Sequence, residues 1–134
     1  MGKTRILIVD DDPQVSHCSG AILQNSGRYE VLTENDSTRA VTSARHFKPD
    51  VMLLDLDRTR EHGDDIAREA ALDPILCHIP MLCLTGLISK SEAINRQKDR
   101  GNRSYLAKPV RPEALLYSVR KLVSFVPDWS ARIP

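Results

Sequence analysis

The chain has 134 residues, 41% hydrophobic and 28% charged, with a formal net charge of +1. That is the size and balance of one globular domain with a real core. Its apolar runs are only strand length, which excludes a membrane-spanning helix, and its near-zero net charge gives no reason to expect a polyanion partner. Met1 to Arg5 leads straight into a strand pattern, with neither an apolar signal region nor a small-residue cleavage site, so the cytoplasm is the expected compartment.

Strand patterns are predicted at 5–9, 29–33, 51–54, 79–84 and 104–107, each followed by a helical pattern. This alternation predicts an α/β fold with a doubly wound parallel sheet. The first helix has Asp12 as its N-cap and Pro13 at the first helical position, where a missing N–H costs nothing. Val15, Cys18 and Ile22 follow at helical spacing, and Gly27 can end the helix. The second helix, about 37–47, starts among Asn35, Asp36 and Ser37 and carries Ala40, Ala44 and Phe47 on one face. A third is expected at about 64–72, closed by Asp73-Pro74. A fourth is expected at about 89–100, where a thin stripe of Ala93, Ile94 and Gln97 makes it the element readiest to move. The last helix opens at Pro112 and sets Leu115, Val119, Leu122 and Val126 on one stripe, flanked by Leu116 and Val123. Residues 127–134 lack a period and read as a tail or linker stub after a single domain at 1–126. Cysteines 18, 77 and 83 show neither CxxC spacing nor His/Cys pairs, and are expected as reduced, mostly buried thiols.

Four of the strands end in polar residues: Asp10-Asp11, Asp55, Thr85 and Lys108-Pro109. In a parallel α/β sheet all strand carboxyl ends share one edge, and ligands bind there. Asp10, Asp11 and Asp55 within about 4 Å of one another would repel by a few kcal/mol per pair at an effective dielectric near 20. A hard divalent cation answers this, since Mg²⁺ (or Mn²⁺ in its place) takes one or two carboxylates, keeps waters and shares phosphate oxygens. With the Lys108 ammonium and Thr85 hydroxyl, the set forms a clamp for a phosphoryl group, and Asp55 becomes a nucleophile that makes an acyl phosphate.

The segments ILIVDDDP, PDVMLLDLD, IPMLCLTG and YLAKPV resemble, in order, the first, third, fourth and fifth strands of response regulator receiver domains, the phosphoacceptors of two-component signalling. The resemblance covers about residues 4–126. It implies a flavodoxin-like fold with five strands in the order 2-1-3-4-5, flanked by five helices. It also implies that Asp55 is phosphorylated from a histidine kinase or histidine phosphotransfer protein. Asp11, Asp55 and the backbone carbonyl of Asp57 would hold Mg²⁺, with Asp10 helping through water. Thr85, the Gly86 N–H and Lys108 would meet the phosphoryl oxygens, Tyr105 would be the switch aromatic, and the Lys108-Pro109 bond would be cis. The protein would not be an enzyme, although self-phosphorylation from small donors and autodephosphorylation fit its chemistry. Signal would leave through the fourth helix, fifth strand and last helix to a downstream protein, with neither nucleic acid nor membrane as partner for this domain.

The chain departs from the family pattern in two places. Arg58-Thr59-Arg60-Glu61-His62 replaces a loop that usually holds Pro, so this loop is expected to be more polar and less rigid. Gly101-Asn102-Arg103-Ser104 lacks two customary acids, which weakens the case for charge-paired dimers, while a homodimer stays open. Residues 88–108 hold six cations against Glu92 and Asp99, a local charge of +4 that offers a docking surface to a downstream partner. His17, His46, His62 and His78 have no second ligand at metal spacing and read as surface or partly buried residues.

Two other functions compete. Asp55-Leu56-Asp57-Arg58-Thr59 also resembles the first motif of haloacid-dehalogenase-type phosphatases, although that motif normally sits on a first strand and needs a later acidic pair, which is missing. A receiver-fold binding module without phosphorylation is the other, opposed by retention of every acid, Thr85 and Lys108. The Asp57 side chain is expected at the mouth of the site, either solvated or as a base that activates water against phospho-Asp55.

Overall fold

Continuous apolar runs such as that at 51–54 suit a strand covered on both faces, and the chain uses them so. The computed structural model describes residues 2–57, 60–86 and 103–125. Its elements run β1 (Thr4–Val9), α1 (Pro13–Asn25), β2 (Tyr29–Glu34), a 3-10 turn (Ser37–Arg39), α2 (Ala40–Phe47), β3 (Val51–Asp55), α3 (Arg60–Leu72), β4 (Met81–Thr85), β5 (Arg103–Ala107) and α4 (Pro112–Phe125). The five strands form one sheet, ordered β2-β1-β3-β4-β5, and every neighbouring pair is parallel. Four α-helices lie among the described residues. The fourth predicted helix, at 89–100, falls outside them, as does the tail at 127–134.

Side chains alternate across the sheet into two cores. Leu7, Val9, Met52, Leu54, Met81 and Cys83 meet Ala40 and Ala44 of α2 and Ile66, Ala67 and Ala70 of α3. Ile6, Ile8, Val51, Leu53, Leu82 and Leu84 meet Leu23 of α1 and Leu115 and Val119 of α4 on the other face. Leu53 is almost fully buried, so truncating it to Ala would cost about 2–5 kcal/mol. Of the predicted stripe of the last helix, Leu115 and Val119 are buried and Leu122 is partly buried beside Leu116 and Val123, while Val126 lies outside the described residues.

Three details differ from the sequence reading. Helix α1 buries Ser16, Gly20 and Leu23, whereas Cys18 is exposed and Val15 and Ile22 are half-buried. A Cβ on Gly20 would already be in van der Waals contact with Val31 at 3.6 Å and Ile8 at 3.8 Å, which leaves room for small residues against the sheet but not for long ones. Helix α3 begins at Arg60, four residues before the predicted start, so the polar loop is shorter than expected. Arg, Glu and His carry no strong helix penalty, and their polarity was mistaken for a loop signal. Strand β4 begins at Met81 because Pro80 has no N–H for the ladder. Asp12 caps α1 as expected, accepting the Gln14 N–H at 2.9 Å, and Gly27 closes the following turn with φ +78°.

Candidate functional site

Parallel registry collects the polar strand ends. Val9 pairs with Leu54, so Asp10 and Asp55 stand at neighbouring positions of β1 and β3. Asp55 pairs with Leu84, and Thr85 with Ala107, which puts Thr85-Gly86 and Lys108 next along the same edge. The Lys108 N–H donates to the Thr85 carbonyl at 2.9 Å, and the Lys108-Pro109 peptide is cis, as the family resemblance implied.

Asp55 is 3% exposed, and Lys108 Nζ lies 2.9 Å from its Oδ1 and 2.7 Å from its Oδ2. The Asp57 N–H donates to Asp55 Oδ1 at 3.1 Å, so the chain turns back over the carboxylate. The Asp57 side chain keeps 28% of its surface exposed, yet both of its oxygens are held by protein donors. Its Oδ1 accepts the Thr85 hydroxyl at 2.7 Å, its Oδ2 accepts the Gly86 N–H at 2.7 Å, and Lys108 Nζ stands 3.3 Å from Oδ2. Burial alone would raise the Asp57 carboxyl, yet Gly86, Thr85 and Lys108 together hold it below the ordinary carboxylate value. Burial likewise works against the Lys108 ammonium, but Asp55 first and Asp57 second raise it above the usual lysine value, so it stays charged.

The acidic pair on β1 is tied elsewhere. Asp10, 2% exposed, accepts the Asp12 N–H at 2.8 Å, and Asp11 Oδ1 accepts the Ser37 N–H at 3.2 Å. Asn35 donates at 2.9 Å both to the Asp10 carbonyl and to Ser16 Oγ, pinning the loop after β1 to α1. The sequence reading missed Asn35 and Ser37 as supports, taking them for the start of the second helix. Tyr105 is buried in the core beneath α2 and α3. His17, His46 and His78 are exposed, as expected.

Among the described residues no three His, Cys, Asp or Glu side chains stand close enough together to form a ready metal cage. The donor set nevertheless suits a hard cation. Asp10, Asp11, Asp55 and Asp57 share this edge with the Lys108 ammonium, which leaves an excess of negative charge, and Mg²⁺ needs only one or two carboxylates beside its waters.

The response regulator receiver domain family matches residues 6–120, and the chain belongs to it. Protein PilH of Pseudomonas aeruginosa is 32% identical over 120 residues, which span 90% of this chain and 98% of PilH. The DNA-binding response regulator MtrA of Mycolicibacterium smegmatis is 30% identical over 118 residues, 88% of this chain but 50% of MtrA. The chain therefore spans about half the length of MtrA and nearly all of PilH. Among solved structures, a putative response regulator from Chloroflexus aurantiacus superposes with a TM-score of 0.77 at 28% identity, covering 92% of this chain and 99% of that one. The chemotaxis protein CheY4 of Vibrio cholerae does so with a TM-score of 0.77 at 26% identity, covering 90% and 99%. Receiver domains are the phosphoacceptors of two-component systems, generally without enzymatic activity of their own, and typically bind Mg²⁺ at an acidic pocket. Nothing in these similarities favours the phosphatase. Among the described residues no helix is long and apolar enough to cross a membrane.

Proposed function

We propose that Asp55 accepts a phosphoryl group from the phosphohistidine of a sensor histidine kinase or a histidine phosphotransfer protein. The observation that carries this reading is the Lys108 ammonium, held against both oxygens of a nearly buried Asp55 with the Thr85 hydroxyl and Gly86 N–H on the same edge. An Asp55 oxygen bonds to phosphorus as the P–N bond of the donor breaks and its electron pair returns to the imidazole. Lys108, Thr85 and the Gly86 N–H then receive the phosphoryl oxygens. Asp11, Asp55 and the Asp57 carbonyl would hold Mg²⁺ or Mn²⁺, with Asp10 acting through water, and the ion would neutralise charge on the transferring group.

The receiver occupies 1–126, and 127–134 is a tail or linker stub. It works in the cytoplasm. Phosphorylation is read out by Thr85 and Tyr105 through residues 89–100, β5 and α4, and the basic stretch at 88–108 suits a protein partner with an acidic surface. Incubation with acetyl phosphate and Mg²⁺, followed by intact mass measurement, tests the assignment. One added phosphoryl group is the expected product. Multiple turnover of phosphate esters would mean a phosphatase, and no uptake would mean a binding module.

A further inference from the structure

The donors that a phosphoryl group on Asp55 would need already have an occupant. The Thr85 hydroxyl, the Gly86 N–H and the Lys108 ammonium all point at the two oxygens of Asp57, the first two at 2.7 Å and the third at 3.3 Å. Three donors on a single carboxylate make an anion site, and hydrogen bonds to an ionised acceptor are about twice as strong as neutral ones. Gly86 leaves room for this: a Cβ there would lie 3.3 Å from Asp57 Oδ2, a tight contact. An acid that merely stood in solvent, or that aimed a lone pair at an incoming water, would not have both oxygens held by protein donors.

We propose that the Asp57 carboxylate is a built-in competitor for the phosphoryl group. It fills the anion site while Asp55 is unphosphorylated and must leave before Asp55 can carry a phosphate. The inference rests on the reading of Asp55 as phosphoacceptor and adds a gate to it. Lys108 couples the two carboxylates, since the same ammonium touches both, so the arriving phosphoryl oxygens take over donors that Asp57 gives up. With acetyl phosphate as donor, the Asp55 oxygen–phosphorus bond forms as the phosphorus–oxygen bond to acetate breaks, and acetate leaves. Asp57 then swings outward toward solvent.

The test uses beryllofluoride, a stable stand-in for the phosphoryl group, titrated into wild type, Asp57→Asn and Asp57→Ala and followed by amide NMR shifts. Mg²⁺ is saturating for each protein, and ionic strength is about 1 M, so that charge acting from beyond a Debye length of about 3 Å is screened. Loss of a direct charge-assisted competitor should tighten binding by about tenfold or more in Asp57→Ala, with Asp57→Asn in between. The Gly86 amide signal of the anion-unbound protein should also shift in Asp57→Ala. Equal or weaker beryllofluoride binding in Asp57→Ala would overturn the competitor. Adding Asp55→Asn to each protein separates the two claims. If binding is lost with Asp55 yet unchanged by Asp57, only the competitor fails; if beryllofluoride still binds after Asp55→Asn, both fail.

Discussion

The two halves of the site are held by different means. On the β1 side, Asp10 and Asp11 are fixed by N–H groups of their own loop and of Ser37, and Asn35 ties that loop to α1. On the β4 and β5 side, Thr85, Gly86 and Lys108 converge on the Asp57 carboxylate. The acid half is therefore set by short-range turn chemistry. The donor half is set by an internal anion, and a ligand must exchange with it. A receiver of this kind gains order at its anion site before phosphorylation, at the cost of a competitor for the group it must accept.

The largest effect should come from the donor half. Lys108→Ala removes the ammonium shared by Asp55 and Asp57, and acetyl-phosphate labelling should slow by about 10²–10³-fold, the usual loss for one preorganised donor. Labelling at the wild-type rate would break the claim that this half receives the phosphoryl oxygens. On the acid half, Asp11→Ala deletes a proposed direct ligand, and Mg²⁺ affinity should fall by more than about tenfold when titrated by calorimetry. Unchanged affinity would move the metal away from β1.

Asn35→Ala sharpens the comparison, because it leaves both sets of chemical groups intact. It removes two hydrogen bonds that brace the acid loop, so denaturant unfolding should show a loss of about 1–3 kcal/mol. Mg²⁺ binding should weaken in this variant more than beryllofluoride binding measured at saturating Mg²⁺. Equal weakening of the two would mean that the halves are braced together. The smallest effect is a change of shape. On beryllofluoride binding, amide shifts should spread from Thr85 into β5 and α4; shifts confined to residues 13–47 would contradict the proposed exit of the signal.

Strands β1, β3 and β4 and their polar ends were legible because each is an apolar run stopped by a residue of a different chemical kind. Burial on both faces makes such runs continuous, and parallel registry does the rest. The face that α1 buries was not legible. Hydropathy points to Val15, Cys18 and Ile22, while packing distance selects Ser16 and Gly20, and only the sheet beneath them sets that distance. The start of α3 was missed because polarity resembles a loop where propensity permits a helix. For Asp57 the sequence displayed the Asp-x-Asp spacing but could not orient the side chain. Its partners Thr85, Gly86 and Lys108 come from strands far along the chain, so its direction is a tertiary fact.

The central claim is that Asp55 carries the phosphoryl group. It is tested most directly by treating wild type and Asp55→Asn with acetyl phosphate and Mg²⁺, then locating the added mass by peptide mapping. The account predicts one phosphoryl group per wild-type chain, confined to the peptide that contains Asp55, and none on Asp55→Asn. Full labelling of Asp55→Asn, or a phosphoryl group mapped to any other residue of the wild type, would contradict it.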